Sequence, residues 1–366
     1  MILVQARASR LSSLSMVLFV LGIAACASTP PARYSTEFPA LVLTPIAQAG
    51  IADGRGRFRE IFCAVLAARS PGGASSPSCE QALTRLSDEQ PGTGAPVDLA
   101  ASGGAFTVVY VLGLWSDCAS QAPRARAELY DYLARFGFHL EMLEVSGISS
   151  SERNARRIRD ALVAMPEIGT SRRAVILGHS KGVNDTLEAV VEFPELHSRV
   201  AAIVSLAGAV GGSPVAERAP DAILKLAAAT PGLNCHDGDM LALQSLRPAG
   251  RKAWLARNRL PGGVRYYSVV ALPEPSRVSS GLKLTYEILS KIDPRNDGNL
   301  LFYDQVVPQS TLLGYANADH WAIATDLSAS PYAVVRRAAD RNDFPRAALV
   351  EAALRYVEEE LRRADE

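Results

Sequence analysis

Gly178-His179-Ser180-Lys181-Gly182 puts a serine between two glycines, with the apolar run Val175-Ile176-Leu177 before it and a helix-like segment from Val183 after it. Gly-x-Ser-x-Gly alone is a weak signal. Set between a strand and a helix it becomes the turn that presents a nucleophile. The turn is so tight that Ser180 is expected to be strained, and side chains at 178 and 182 would clash. The N-terminus of the following helix places positive dipole beside a developing oxyanion. The plainer alternative is a βα turn with an incidental serine.

A serine hydroxyl needs a base. The chain has five histidines. His179 lies in the turn and is expected to point away from its neighbour. His139 falls inside a strand, His197 at a helix end and His236 in a long insertion. His320, in Tyr315-Ala-Asn-Ala-Asp-His320-Trp321, follows the last strand and is the candidate base; the alternative is a surface histidine packed on Trp321. The base needs an acid to fix its tautomer. Asp293, Asp297 and Asp304 lie between the serine and His320. Asp297, in the polar turn Asn296-Asp297-Gly298, is favoured, against a merely turn-forming role. Asp293 precedes Pro294 and looks like a helix terminator, and Asp304 sits beyond an apolar run. Backbone N–H groups must hold an oxyanion. Lys181 supplies one, and the loop after Phe106–Leu112 the other, with Leu114 the first choice and Trp115 the second.

These residues need a scaffold. Phe106–Leu112, Phe138–Val145, Arg172–Leu177, Val200–Gly208, Val264–Leu272 and Ser310–Ala316 read as strands. Helical spacing marks Phe58–Ala68, Pro123–Gly137, Ser151–Met165, Val183–Phe193 and Pro345–Arg363. Alternating strands and helices, with strands apolar on both faces, imply a parallel sheet with right-handed crossovers. Residues 211–262 are too long for a plain crossover and read as a largely helical cap.

The order Ser180…Asp297…His320 on this pattern resembles the α/β-hydrolase superfamily, especially its bacterial lipase and esterase members. The resemblance covers about residues 105–360, and "NDG" followed by "ADHW" looks like the acid and histidine loops of bacterial lipases. It implies an α/β-hydrolase fold, a mostly parallel central sheet flanked by helices with a helical cap after the sixth strand. It also implies two-step acyl transfer on carboxylic esters, with no metal or organic cofactor. The chain departs from the pattern where Leu112-Gly113 replaces the usual His-Gly pair and Lys181 follows the serine. A thioesterase or acyltransferase would use the same site, and a non-catalytic envelope lipoprotein would share the fold. Ser280-Gly-Leu-Lys283 matches S-x-x-K, but the S-D-N and K-T-G companions of penicillin-recognising enzymes are absent.

The ends and the composition set the context. Arg7 and Arg10, then apolar Leu11–Ile23, then Ile23-Ala24-Ala25-Cys26 read as a signal peptide over 1–25 that ends in a lipobox-like sequence. Lipidated Cys26 would anchor the chain to a membrane, the outer one facing the periplasm in a Gram-negative cell. Ala25-Cys26-Ala27 also suits ordinary cleavage and a soluble exported protein. A Pro/Ala/Thr-rich tether over 26–50, a helix and loops over 51–104 and the main domain over 105–366 would follow. Lys plus Arg and Asp plus Glu both number 38, so the whole chain is neutral. Loss of 1–25 removes two arginines and no acids, which takes it to −2. With no dense basic tract, nucleic acid is not an expected partner. The expected partners are a small-molecule or lipid ester and the membrane; the oligomeric state is not legible. Export favours disulfides. Cys63–Cys79 closes a short loop and leaves Cys118–Cys235, one of three possible connectivities.

Overall fold

A computed structural model describes residues 50–365 except 70–76, 87–88, 116, 118–122, 223, 226–237 and 331. The expected signal peptide, the tether up to residue 49, Cys26, His236 and the Cys118–Cys235 pair lie outside the described residues.

Among the described residues eight strands form one sheet. They are β1 (Ala52–Asp53), β2 (Leu83–Thr84), β3 (Phe106–Val111), β4 (His139–Leu143), β5 (Arg173–His179), β6 (Val200–Leu206), β7 (Arg265–Ala271) and β8 (Thr311–Ala316). The spatial order is β1-β8-β7-β6-β5-β3-β4, every neighbour parallel, with β2 pairing antiparallel to β8. Helices α1 (Arg55–Arg69), α2 (Cys79–Ala82), α3 (Pro123–Arg135), α4 (Ser151–Ala164) and α5 (Lys181–Glu192) come first in the chain. They are followed by α6 (Pro214–Arg218), α7 (Pro248–Arg257), α8 (Lys283–Ser290), α9 (Ala333–Ala338) and α10 (Arg346–Asp365).

Successive side chains of a strand point to opposite faces. Val108 and Tyr110 of β3, with Val175 and Leu177 of β5, enter the core shared with Phe58 and Phe62 of α1 and Leu349 of α10. Val109, Val111 and Ile176 enter the other core, with Ile158 and Leu162 of α4 and Leu187 of α5. The sheet is covered on both sides, which is why its strands read as unbroken apolar runs.

The described residues of 51–104 pack with the rest of the chain. They give β1 and β2 to the sheet and α1 to its core, where Phe58 meets Tyr356 of α10 edge-on. Cys63 and Cys79 lie at disulfide distance, their Cα atoms 5.1 Å apart. Residues 248–257, within the expected cap, form α7. Trp254 and Leu255 of α7 pack on the body with Val190 and Val264, and Arg251 pairs with Glu188 of α5 at 2.7 Å. Earlier residues of the expected cap are stitched to the loop before α4. Asp239 accepts from the Ser150 N–H at 2.8 Å and hydroxyl at 2.5 Å, and Ser245 Oγ accepts from Ser151 N–H at 2.9 Å.

Candidate active site

Ser180 stands between β5 and α5 with φ 55° and ψ −126°, a backbone state costing a non-glycine residue about 1–3 kcal/mol. Its surroundings hold it there. Its N–H donates to Leu206 O at 3.3 Å, and its carbonyl accepts from Ala209 N–H at 3.0 Å. A Cβ on Gly182 would lie 2.4 Å from Val111 O, and one on Gly178 would lie 2.9 Å from a Val183 methyl. Gly182→Ala is therefore expected to lose about 1–3 kcal/mol of stability, because backbone rather than a flexible side chain must yield. Urea unfolding measures this.

His320 follows β8. Its Nε2 lies 2.9 Å from Ser180 Oγ, and its Nδ1 lies 2.7 Å from Asp297 Oδ2. The carboxylate needs a proton on Nδ1, so the Nε2 lone pair faces the serine hydroxyl. The other Asp297 oxygen accepts from the N–H groups of Asn299 at 2.8 Å and Leu300 at 2.7 Å. The His320 N–H donates to Asp297 O at 3.0 Å, which ties the two loops together. Asp319 fixes the histidine loop from behind by accepting from the N–H groups of Ser279, Trp321 and Ala322. The other acids are spent elsewhere: Asp293 pairs with Arg295 at 2.7 Å, and Asp304 faces Lys252 at 4.0 Å. His139 is half-exposed beside Glu141, and His197 bonds to Val190 O.

His179 is buried behind the serine, its Nε2 2.9 Å from His320 O. Burial, then the nearby His320, pushes its pKa down to about 3. The ring is therefore neutral at ordinary pH and donates to that carbonyl. A histidine whose folded pKa is depressed gives stability that is complete above the unfolded value and lost as pH falls. His179→Gln is expected to remove roughly 2–3 kcal/mol from the stability lost between pH 6.5 and 4.5, at about 1.4 kcal/mol per unit. Denaturation at each pH tests this.

The first N–H of α5, that of Lys181, has no intrahelical carbonyl to meet. Gly113 approaches so closely that a Cβ there would lie 2.8 Å from Ser180 Cβ and 2.9 Å from Lys181 N. Leu114 follows it. The Trp115 N–H is already engaged, 3.2 Å from Gly147 O. The Lys181 ammonium turns away and pairs with Asp185 at 2.6 Å in the interior. Burial pushes the Asp185 carboxyl upward, and Lys181 opposes that rise. Leu114, Trp115, Ile148, Met240, Leu243 and Leu300 belong to one apolar cluster. Among the described residues no group of three or more His, Cys, Asp or Glu side chains is arranged to hold a metal ion.

The fold is that of an α/β-hydrolase. The metagenomic carboxyl esterase MGS0156 is 40% identical in sequence and superposes with a TM-score of 0.79, over 89% of this chain and 97% of that one. The chain belongs to the α/β-hydrolase family that includes this carboxyl esterase. Bacillus licheniformis lipase BlEst2 in mature form matches at 17% identity and TM-score 0.48, over 67% of this chain and 91% of that one, and adds nothing to the assignment. No protein-family model and no curated protein matches the chain.

Proposed function

We propose that the protein is a serine hydrolase that cleaves carboxylic esters through an acyl-enzyme. The observation that carries this reading is the unbroken line Asp297–His320–Ser180, at 2.7 and 2.9 Å, ending on a serine held at positive φ. Its relation to a carboxyl esterase supports it.

His320 Nε2 takes the Ser180 proton as Oγ attacks the ester carbonyl. The N–H groups of Lys181 and Leu114 hold the oxyanion, and Asp297 stabilises the imidazolium. His320 returns the proton to the departing alkoxide. Water then enters, gives a proton to His320 as its oxygen bonds to the acyl carbon, and His320 returns the proton to Ser180 Oγ as the bond to the acyl group breaks and the acid leaves. Every step uses side chains and backbone of this chain. The apolar cluster suits an uncharged acyl or alcohol group. Lipidation at Cys26, which rests on the sequence, would hold this site near lipid-derived esters, and Cys118–Cys235 remains the proposed second disulfide.

p-Nitrophenyl esters from acetate upward, mixed rapidly with stoichiometric enzyme, test the reading. The expected result is a burst of nitrophenol near one equivalent, then slower turnover. Folded wild-type protein that releases no nitrophenol from any chain length would remove it.

A further inference from the structure

The two candidate oxyanion donors sit at the start of α5 and in the loop after β3, and one buried side chain bonds both to α5 and to the segment that contacts that loop. Asn154 of α4 is 1% exposed. Its Nδ2 donates to Asp185 Oδ2 at 2.7 Å and to Ser146 O at 2.9 Å, while its Oδ1 accepts from the Ser146 N–H at 3.2 Å. Only an amide in this orientation satisfies a carboxylate, a carbonyl and an N–H together.

Toward α5, the other Asp185 oxygen holds the Lys181 ammonium, and Lys181 carries the first donor. Toward β3, Ser146 is followed by Gly147, which locks the other loop from both sides. Gly147 O accepts from Trp115 N–H at 3.2 Å, and Gly147 N–H donates to Asp117 Oδ1 at 2.8 Å. Leu114, the second donor, directly precedes Trp115. A Cβ on Gly147 would lie 2.5 Å from Trp115 N, so the two backbones are in close contact.

We infer that Asn154 is a positioning residue that holds the Lys181 and Leu114 N–H groups in register, through Asp185 on one side and Ser146–Gly147 on the other. The inference rests on the proposed acyl transfer at Ser180. Asn154 touches no reacting atom. Its effect belongs to the transition state, where charge grows on the ester oxygen, and not to ester binding.

The test compares Asn154→Ala with wild type. kcat is scaled to the sites titrated by a fluorophosphonate, and binding is measured for an aryl trifluoromethyl ketone, whose hemiketal oxyanion occupies the same donors. The expected result is a fall of about 10- to 100-fold in kcat per titrated site, less than the loss of a donor outright. KM should stay near wild type, and ketone affinity should fall in step with kcat. A residue that only supports the fold would lower the titratable fraction and the melting temperature, and leave kcat per site and ketone affinity unchanged. That outcome overturns the inference. Should Asn154→Ala not fold, Asn154→Ser takes its place: the same fall in kcat per titrated site and in ketone affinity supports the inference, and wild-type values for both overturn it. Wild-type protein that neither labels nor turns over esters defeats the acyl-transfer reading instead, so the two failures are distinct.

Discussion

Ser180→Ala and His320→Ala are each expected to lower kcat by about 10⁵- to 10⁶-fold, and the double variant should be no slower than either single one. The reason is that the two side chains act as one unit. With no hydroxyl 2.9 Å away, His320 Nε2 has no proton to take. With no imidazole, the Ser180 hydroxyl keeps its proton and is a poor nucleophile. What remains is binding and the backbone donors, which both variants retain. KM should therefore change little beside kcat. Neither substitution removes a large apolar group, and circular dichroism should show intact protein. Losses that multiplied in the double variant would mean that the two residues act separately.

Asp297→Asn is expected to cost about 10⁴-fold in kcat with the fold preserved. An amide at 297 can still accept from the Asn299 and Leu300 N–H groups through Oδ1. Its nitrogen then faces His320 Nδ1, where the carboxylate oxygen stood at 2.7 Å. Two donors cannot share that contact, so the imidazole proton moves to Nε2, and the nitrogen facing Ser180 becomes a donor instead of an acceptor. The serine loses its base although every heavy atom stays in place. Asp293→Asn and Asp304→Asn should leave kcat near wild type, because neither carboxylate touches His320. Asp293 serves Arg295, and Asp304 lies beside Lys252 and Gly211.

The parts of this architecture that were legible in the sequence are those with a local signature. Strands such as Phe106–Val111 and Val200–Leu206 are apolar on both faces because helices cover both, and that leaves continuous runs. β1 and β2 have two residues each, too few for any periodicity, and only β8 beside them makes them strands. α7 reads as cap because it lies in a long strand-free stretch. In the structure its Arg251 pairs with Glu188, and its Trp254 and Leu255 pack against the core cluster that holds Val190, all remote in sequence.

The site divides in the same way. The serine turn and the Asn-Asp-Gly turn carry glycine signals because their backbones are constrained. The polar turn favoured Asp297, and Pro294 marked Asp293 as a helix terminator; in the structure Arg295 occupies Asp293. Gly113 stood out only as half of an unusual Leu-Gly pair, while its physical role is to admit the Ser180 turn. Lys181 and Asp185 have ion-pair spacing on a helix, which was open to reading. Asn154 had no such signal. Its partners lie 8 residues back and 31 ahead, and only the packing of α4 against α5 brings them together.

The central claim is that Ser180 is an activated nucleophile. Treating intact protein with a fluorophosphonate and mapping the adduct by tryptic mass spectrometry tests it most directly. The account predicts one phosphonyl group per molecule, on Ser180 within Ala174–Lys181, and none in His320→Ala. An adduct confined to another serine, or no adduct on folded wild-type protein that turns over no ester, would contradict it.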